Sequence, residues 1–242
     1  MLLDEKVPVF SFIYGIPPKE ILDDCRRQSI RTIGTATTSD EALALQDAGV
    51  DAVVASGFEA GGHRGSFLRR AEESLTGTFS LVRQVSAILD VPVIAAGGIA
   101  DARGIASALM LGAEGVQLGT AFAACEESGA SELHREALLS GKANRTGLTK
   151  GFTGRLARGI RNRLMDELNQ PDVEILPYPL QRILLKHLTL PAEKAGRAEL
   201  IPLWAGQSAG LLRYANAAEL LQSLVAEVTS IYSGQEIKHE RK

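Results

Sequence analysis

The chain has 242 residues, of which 45% are hydrophobic, 23% charged and 5% aromatic, with a formal net charge of −3. That length suits one large α/β domain or a domain with a small appendage, and the composition is that of an ordinary globular protein. The mild acidity and the scarcity of aromatics argue against a nucleic-acid surface or base-stacking platform. No apolar run reaches the ~18 residues that span a bilayer, so no membrane association is expected. Cys25 and Cys125 stand alone, without paired spacing. Neither a disulfide framework nor a metal site is therefore expected, and both read as buried free thiols of a reducing compartment. The segment from Met1 to Lys6 is too short and too acidic for a signal peptide. The expected location is the cytoplasm.

In chain order, Val7 to Tyr14 reads as a strand, and Pro17-Pro18 opens a helix through Ile21 and Leu22. Thr32 to Ala36 is the next strand. Thr37 to Glu41 supplies capping residues for a helix running to Ala48, which Gly49 stops. Asp51 to Ser56 is a third strand, Thr78 to Leu89 a helix, and Val91 to Ala96 a fourth strand. Asp101 caps a helix to Leu111, stopped by Gly112, before a fifth strand from Gly115 to Leu118. Nearly all-apolar strands alternating with helices indicate a parallel sheet covered on both faces. The spacing suits compact βα units of a TIM barrel, an α/β architecture that places its chemistry at the C-terminal ends of the strands.

Beyond Cys125 the rhythm changes. Ser131 to Leu139 is helical, Gly147 to Asn162 is rich in Thr, Gly and Arg, and Pro177-Tyr178-Pro179 marks a rigid loop. A short helix spans Leu180 to Leu188, a further loop holds Leu203 to Gln207, and a last helix runs from Asn216 to Val228. The expected organisation is a barrel portion over 1–125, a small mostly helical substrate-side subdomain over 126–210, and a C-terminal helix within 211–242 that returns to the barrel. Five βα units are too few to close an eight-stranded barrel. Either the sheet is open or the first strands are absent.

The richest chemistry lies in Gly57-Phe58-Glu59-Ala60-Gly61-Gly62-His63-Arg64-Gly65. Glycines let the backbone adopt positive φ and approach a ligand closely, and histidine is suited to proton transfer near neutral pH. Glu59 can ligate, orient or cap. Two further glycine loops, Gly97-Gly98-Ile99-Ala100-Asp101 and Gly119-Thr120, follow consecutive strands. They read either as tight βα turns or as a phosphate cradle of the kind barrels build after their last strands. No dinucleotide or P-loop motif occurs. His134, His187 and His239 read as incidental, and Arg155, Arg158, Arg161 and Arg163 as a solvated or loop-bracing face, with anion contact as the other reading.

The segments GFEAGGHRG, PVIAAGGIAD and GVQLGT resemble the nitronate monooxygenase family, as do GRLARGIRN, PYPLQ and LWAGQSAG farther on. The resemblance covers nearly the whole chain, and EAGGHRG is its most specific element. It implies a TIM-barrel-like enzyme that binds FMN without a covalent link and oxidises alkyl nitronates with oxygen to a carbonyl compound and nitrite. It implies a catalytic role for His63. Flavin contacts are implied for Ser56, Gly61, Gly62, Gly98, Gln117, Leu118, Gly119 and Thr120, with Gly98, Gly119 and Thr120 around the phosphate. Relatives often carry glutamine at position 56. Val7 to Phe12 resembles the family's fourth strand, so the resemblance also implies that about three βα units are missing from the start. Such an open barrel would expose sheet edges and an apolar interior. The alternatives are a flavin-dependent enoyl-ACP reductase or NAD(P)H:quinone reductase, which share the glycine phosphate loops, and a non-catalytic remnant. Self-association, with another chain supplying strands, stays open.

Overall fold

A computed structural model describes Glu5 and residues 7–234. The other residues of the N-terminal hexapeptide, and His239, lie outside the described residues. The chain forms two compact units. The first runs to Gly97 and takes in Ala108–Gln117, and the second comprises Gly98–Ser107 and the chain from Leu118 onward.

The first unit is built on five parallel strands, β1 (Val9–Phe12), β2 (Arg31–Ala36), β3 (Ala52–Ser56), β4 (Val93–Ala96) and β5 (Gly115–Gln117). They hydrogen-bond in that order across the sheet. Helices α1 (Lys19–Arg27), α2 (Ser39–Asp47) and α3 (Thr78–Ser86) follow the first three strands. Each begins and ends where local chemistry directs. Pro18 occupies the N-cap of α1. Thr38 caps α2 by accepting from the Glu41 N–H, and Gly49 beyond its end has φ +82°. The expected strands and helices of this unit are all present, with ends shifted by a few residues.

Because βα crossovers lay helices on a sheet face, the strands are apolar on that face throughout. Val53, Ala55, Val93 and Ala95 are buried there with Leu45, Leu81, Val82 and Val85 of the helices. Packing is so close that a methyl added at Gly34 would stand 2.4 Å from Leu45 Cδ2. The opposite face is unevenly covered: Val54, Thr35 and Ala96 are buried, Ile33, Ala52 and Ile94 half-buried, and Val9 exposed. At the N-terminal end of the sheet, the Asp51 carboxylate accepts from the Thr32 N–H at 2.8 Å and from the Arg31 guanidinium at 2.6 Å, fastening β3 to β2.

Helix α4 (Ala102–Met110) precedes β5. Asp101 Oδ1 accepts from the Gly104 N–H at 2.8 Å, the cap its position implied. The second unit continues with α5 (Thr120–Ala123), α6 (Glu132–Leu138), a hairpin of β6 (Thr146–Thr149) and β7 (Ala157–Ile160), α7 (Arg163–Leu168), α8 (Leu180–Lys194) and α9 (Ala217–Tyr232). The antiparallel hairpin lies in the stretch rich in Thr, Gly and Arg, and its strands pair Thr146 with Ile160 through to Thr149 with Ala157. Helix α8 extends six residues past Leu188 and contains Pro191. One core of this unit gathers Leu138, Ala143, Ile160, Ile201 and Leu203. Another joins α9 through Leu220 and Leu224 to Ala121 and Cys125. Cys25 and Cys125 are free and buried. Burial, with the Glu127 carboxylate adding to it, pushes the Cys125 thiol above its ordinary pKa, so it is an inert packing residue.

Candidate functional site

The glycine-histidine loop leaves β3 at Ser56 and is fastened from several directions within the first unit. The Gly57 N–H donates to the Ala96 carbonyl at 2.9 Å and the Phe58 N–H to Thr76 at 3.0 Å. Glu59, whose role the sequence left open, caps α3: its carboxylate accepts from the Thr78 N–H at 2.8 and 2.9 Å. A carboxylate there also meets the positive end of the helix. Thr78 Oγ1 lies 2.9 Å from Glu59 and donates to the Gly97 carbonyl at 2.8 Å, so one side chain ties the loop to the end of β4. Gly97 has φ +98°, and a methyl there would lie 2.9 Å from the Ala60 nitrogen and 3.0 Å from the Gly57 carbonyl. Only glycine meets both demands.

Beyond the crest two buried charged side chains hold the backbone. Arg64 is 5% exposed. It donates to the carbonyls of Ser74 (2.6 Å), Ser56 (2.6 Å) and Thr37 (3.3 Å). These carbonyls belong to the ends of β2 and β3 and to the segment before α3. Glu41, fully buried, supplies the opposite charge: it accepts from the Thr37 N–H at 2.7 Å and hydroxyl at 2.6 Å. Its other oxygen accepts from the N–H groups of Phe67 at 2.5 Å and Leu68 at 3.1 Å. Thr37 thus accepts from a buried cation and donates to a buried anion. Gly61 is exposed and Gly62 and His63 half-buried, while Arg64, Gly65 and Ser66 are buried. His63 therefore stands half-buried in the two-residue strand Gly62–His63, at the crest of a loop held from both sides. The strand register aligns Ser56 with Ala96 and Ala96 with Gln117. Ser56 and Gln117 consequently occupy one row at the C-terminal ends of the strands, two strand spacings or about 10 Å apart.

In the second unit, Gly98 (φ +70°) and the Gly119-Thr120 turn are both braced by the segment Leu203 to Ser208. Ser208 Oγ donates to the Gly98 carbonyl at 2.6 Å, and the Gly206 N–H donates to Thr120 Oγ1 at 3.0 Å. That segment is itself docked on the hairpin, the Ile160 N–H donating to Leu203 at 2.7 Å. His134, which read as incidental, has a structural task, with Nε2 2.8 Å from the Trp204 carbonyl. The arginine group divides: Arg158 is buried and donates to Thr146 Oγ1, whereas Arg161 and Arg163 are exposed and paired with Asp166 and Glu167.

The glycines also differ in surroundings. Where Gly57 and Gly97 are pressed against backbone, no heavy atom stands within 4 Å of a methyl placed on Gly62 or Gly119. Each of those two borders open space within its own unit. Among the described residues no group of three or more His, Cys, Asp and Glu is placed to hold a metal, and no helix is long and apolar enough to cross a membrane.

The model of the nitronate monooxygenase family matches residues 1–227. The chain belongs to that family. It is 44% identical over 231 residues to a probable nitronate monooxygenase of Staphylococcus aureus, covering 95% of this chain and 65% of the relative. It thus spans about 65% of the length of the curated relatives it matches. Among solved structures, a nitroalkane oxidase from Streptomyces ansochromogenes superposes with a TM-score of 0.90 at 42% identity, over 96% of this chain and 67% of that one. FabK from Thermotoga maritima matches less closely, with a TM-score of 0.79 at 31% identity, over 96% and 71%. The parallel α/β, TIM-barrel-like architecture read from the strand rhythm is therefore one that the chain shares with this nitroalkane oxidase. Sequence reasoning had located the crest of the loop but not its supports. Arg64 stood unassigned beside His63, and the Thr38-x-x-Glu41 spacing, a capping-box pattern, was the signal that could have marked Glu41.

Proposed function

We propose that the chain carries the chemistry of an FMN-dependent nitronate monooxygenase, with His63 as the residue that meets substrate. The observation that carries this reading is the crest itself: a half-buried histidine flanked by glycines, at the end of a parallel strand, on a loop held by buried charges. Family membership supports it.

Gly62 and Gly119 each leave room for a ligand to approach the backbone. Residues that would hold FMN are Ser56, Gly61, Gly62 and Gln117, together with Gly98, Leu118, Gly119 and Thr120. Backbone N–H groups of Gly98, Gly119 and Thr120 would take its phosphate. When bound, the flavin supplies the electron transfer from the nitronate, with oxygen as the second substrate. The chain's own contribution is positional and protic. Arg64 fixes the backbone on the C-terminal side of His63, Glu59 and Thr78 fix the N-terminal side, and the imidazole orients the nitronate or takes the α-carbon proton of the parent nitroalkane to form it.

The test is the visible spectrum of the purified chain after incubation with excess FMN and removal of free flavin. Retained flavin absorbance is expected, as is oxygen uptake with an alkyl nitronate; a colourless preparation overturns the flavoenzyme reading. NADH oxidation in the absence of nitronate would favour the nicotinamide-driven alternative. His63→Asn should cut nitronate turnover by about 10²-fold or more while flavin stays bound. Unchanged turnover removes His63 from the mechanism.

A further inference from the structure

A cavity of about 270 Å³ opens in the second unit, lined by none of the residues proposed to meet substrate or flavin. Its apolar lining includes Ala137, Ile160 and Leu203, all members of the buried core. Its rim is charged. Lys142, Arg145 and Arg161 supply cations, and Asp166 and Glu199 supply carboxylates. Both carboxylates are already engaged: Asp166 pairs with Arg161 at 2.7 Å and Glu199 with Arg197 at 2.5 Å. Lys142 and Arg145 form no ion pair among the described residues, and both side chains are exposed.

Local structure brings these two cations to one side. Lys142 lies in the 3₁₀ turn Gly141–Asn144 and Arg145 is the residue that ends it. In a 3₁₀ turn, residues three apart stand nearly one above the other. The turn is rigid: Ser140 Oγ accepts from the Lys142 N–H at 3.2 Å, and the Arg161 N–H donates to the Arg145 carbonyl at 2.8 Å. Two like charges held on one side of a fixed turn repel each other, and an anion seated among them relieves that repulsion. Asn162 adds no competing group, because its amide donates to the carbonyls of Ile201 and Ala198 and its oxygen caps α7.

From this geometry we infer a second ligand site for a small phosphorylated molecule, its phosphoryl group on Lys142 and Arg145 and a short apolar or planar portion against Ile160 and Leu203. The charge selects the class. A phosphomonoester carries about −1.5 to −2 near neutral pH and balances two cations, whereas a carboxylate balances one. The arginine fork adds paired N–H donors and the lysine a point charge. The volume admits a phosphoryl group plus a ring or short chain and is small for a whole dinucleotide.

The test is calorimetric titration of the full chain, saturated with FMN, with phenyl phosphate at low ionic strength. Saturable binding with a Kd on the order of 1 mM or tighter is expected, weakening as salt is raised. Lys142→Ala combined with Arg145→Ala, both exposed positions that should leave the circular dichroism unchanged, should weaken binding at least tenfold. Benzoate should bind several-fold more weakly than phenyl phosphate. Absence of saturable heat, or equal binding by the double variant, overturns the site; equal binding of benzoate overturns the phosphoryl assignment. If the chain holds no FMN, the same titrations run without it, and the double variant still separates this site from any other anion site.

Discussion

Replacing Arg64 with methionine keeps most of the side-chain volume and removes the cation that joins three segments of the first unit. The loss can be worked from the bonds. Two are short, 2.6 Å to Ser56 and 2.6 Å to Ser74, and the third, 3.3 Å to Thr37, is weak. A hydrogen bond from a charged donor contributes about 1.5–3 kcal/mol, and a buried acceptor left unmade costs about 1–3 kcal/mol. Water can reach the half-buried Ser56 carbonyl and recover part of this, so a destabilisation of about 3–5 kcal/mol is expected. Urea unfolding followed by far-ultraviolet circular dichroism measures the effect. With an m-value near 2–3 kcal/mol/M, the midpoint should fall by about 1–2 M at unchanged slope. Arg64→Lys keeps the charge but lacks the planar fork, and about half the loss should return. A midpoint within about 0.3 M of wild type for Arg64→Met would refute the reasoning, because the loop would then be held without its arginine.

Glu41→Gln places an amide where four donors converge on a carboxylate, turning one acceptor into a donor facing N–H groups. Unfolding should show a loss of about 3 kcal/mol or more, and a loss under 1 would contradict the bonding described. Gly97→Ala combines a left-handed backbone with a methyl against the Ala60 nitrogen. It should cost about 2–4 kcal/mol by the same measurement, whereas alanine at Gly119, which borders open space, should cost under about 1. Asp51 offers a test in pH. Burial alone would raise its pKa, but the Thr32 N–H, the Arg31 guanidinium and the Thr32 hydroxyl together hold it below its ordinary value. Its ionised form therefore stabilises the fold above the ordinary carboxylate range, and that contribution is lost as pH falls through the folded value. Asp51→Asn should be about 1 kcal/mol less stable than wild type at pH 7. The gap should close below about pH 4, and a gap constant down to pH 3 would exclude the mechanism.

Local signals carried the parallel strands and several helix starts. Apolar runs such as Ala52 to Ala55 and Val93 to Ala96 made buried parallel strands readable, and Thr38, Asp101 and Asn216 marked helix starts because a cap acts within one turn. The hairpin from Thr146 to Ile160 escaped reading. Its strands carry Gly147, Arg158 and Gly159, and a buried arginine in a strand breaks the alternation that identifies one. Helix α8 runs past the expected end at Leu188 with Pro191 inside it, where proline ordinarily disfavours a helix.

The same division holds at the candidate site. The order of residues alone determined that a glycine-flanked histidine follows a buried strand, since composition and short-range conformational freedom are properties of consecutive residues. Only tertiary structure decided that Glu59 caps α3, that Arg64 gathers the ends of two strands, and that Glu41 holds the backbone 26 and 27 residues away. Each of those bonds joins groups distant in the chain. A buried charge can meet its partners only after folding has brought them together and excluded water, which no local pattern encodes.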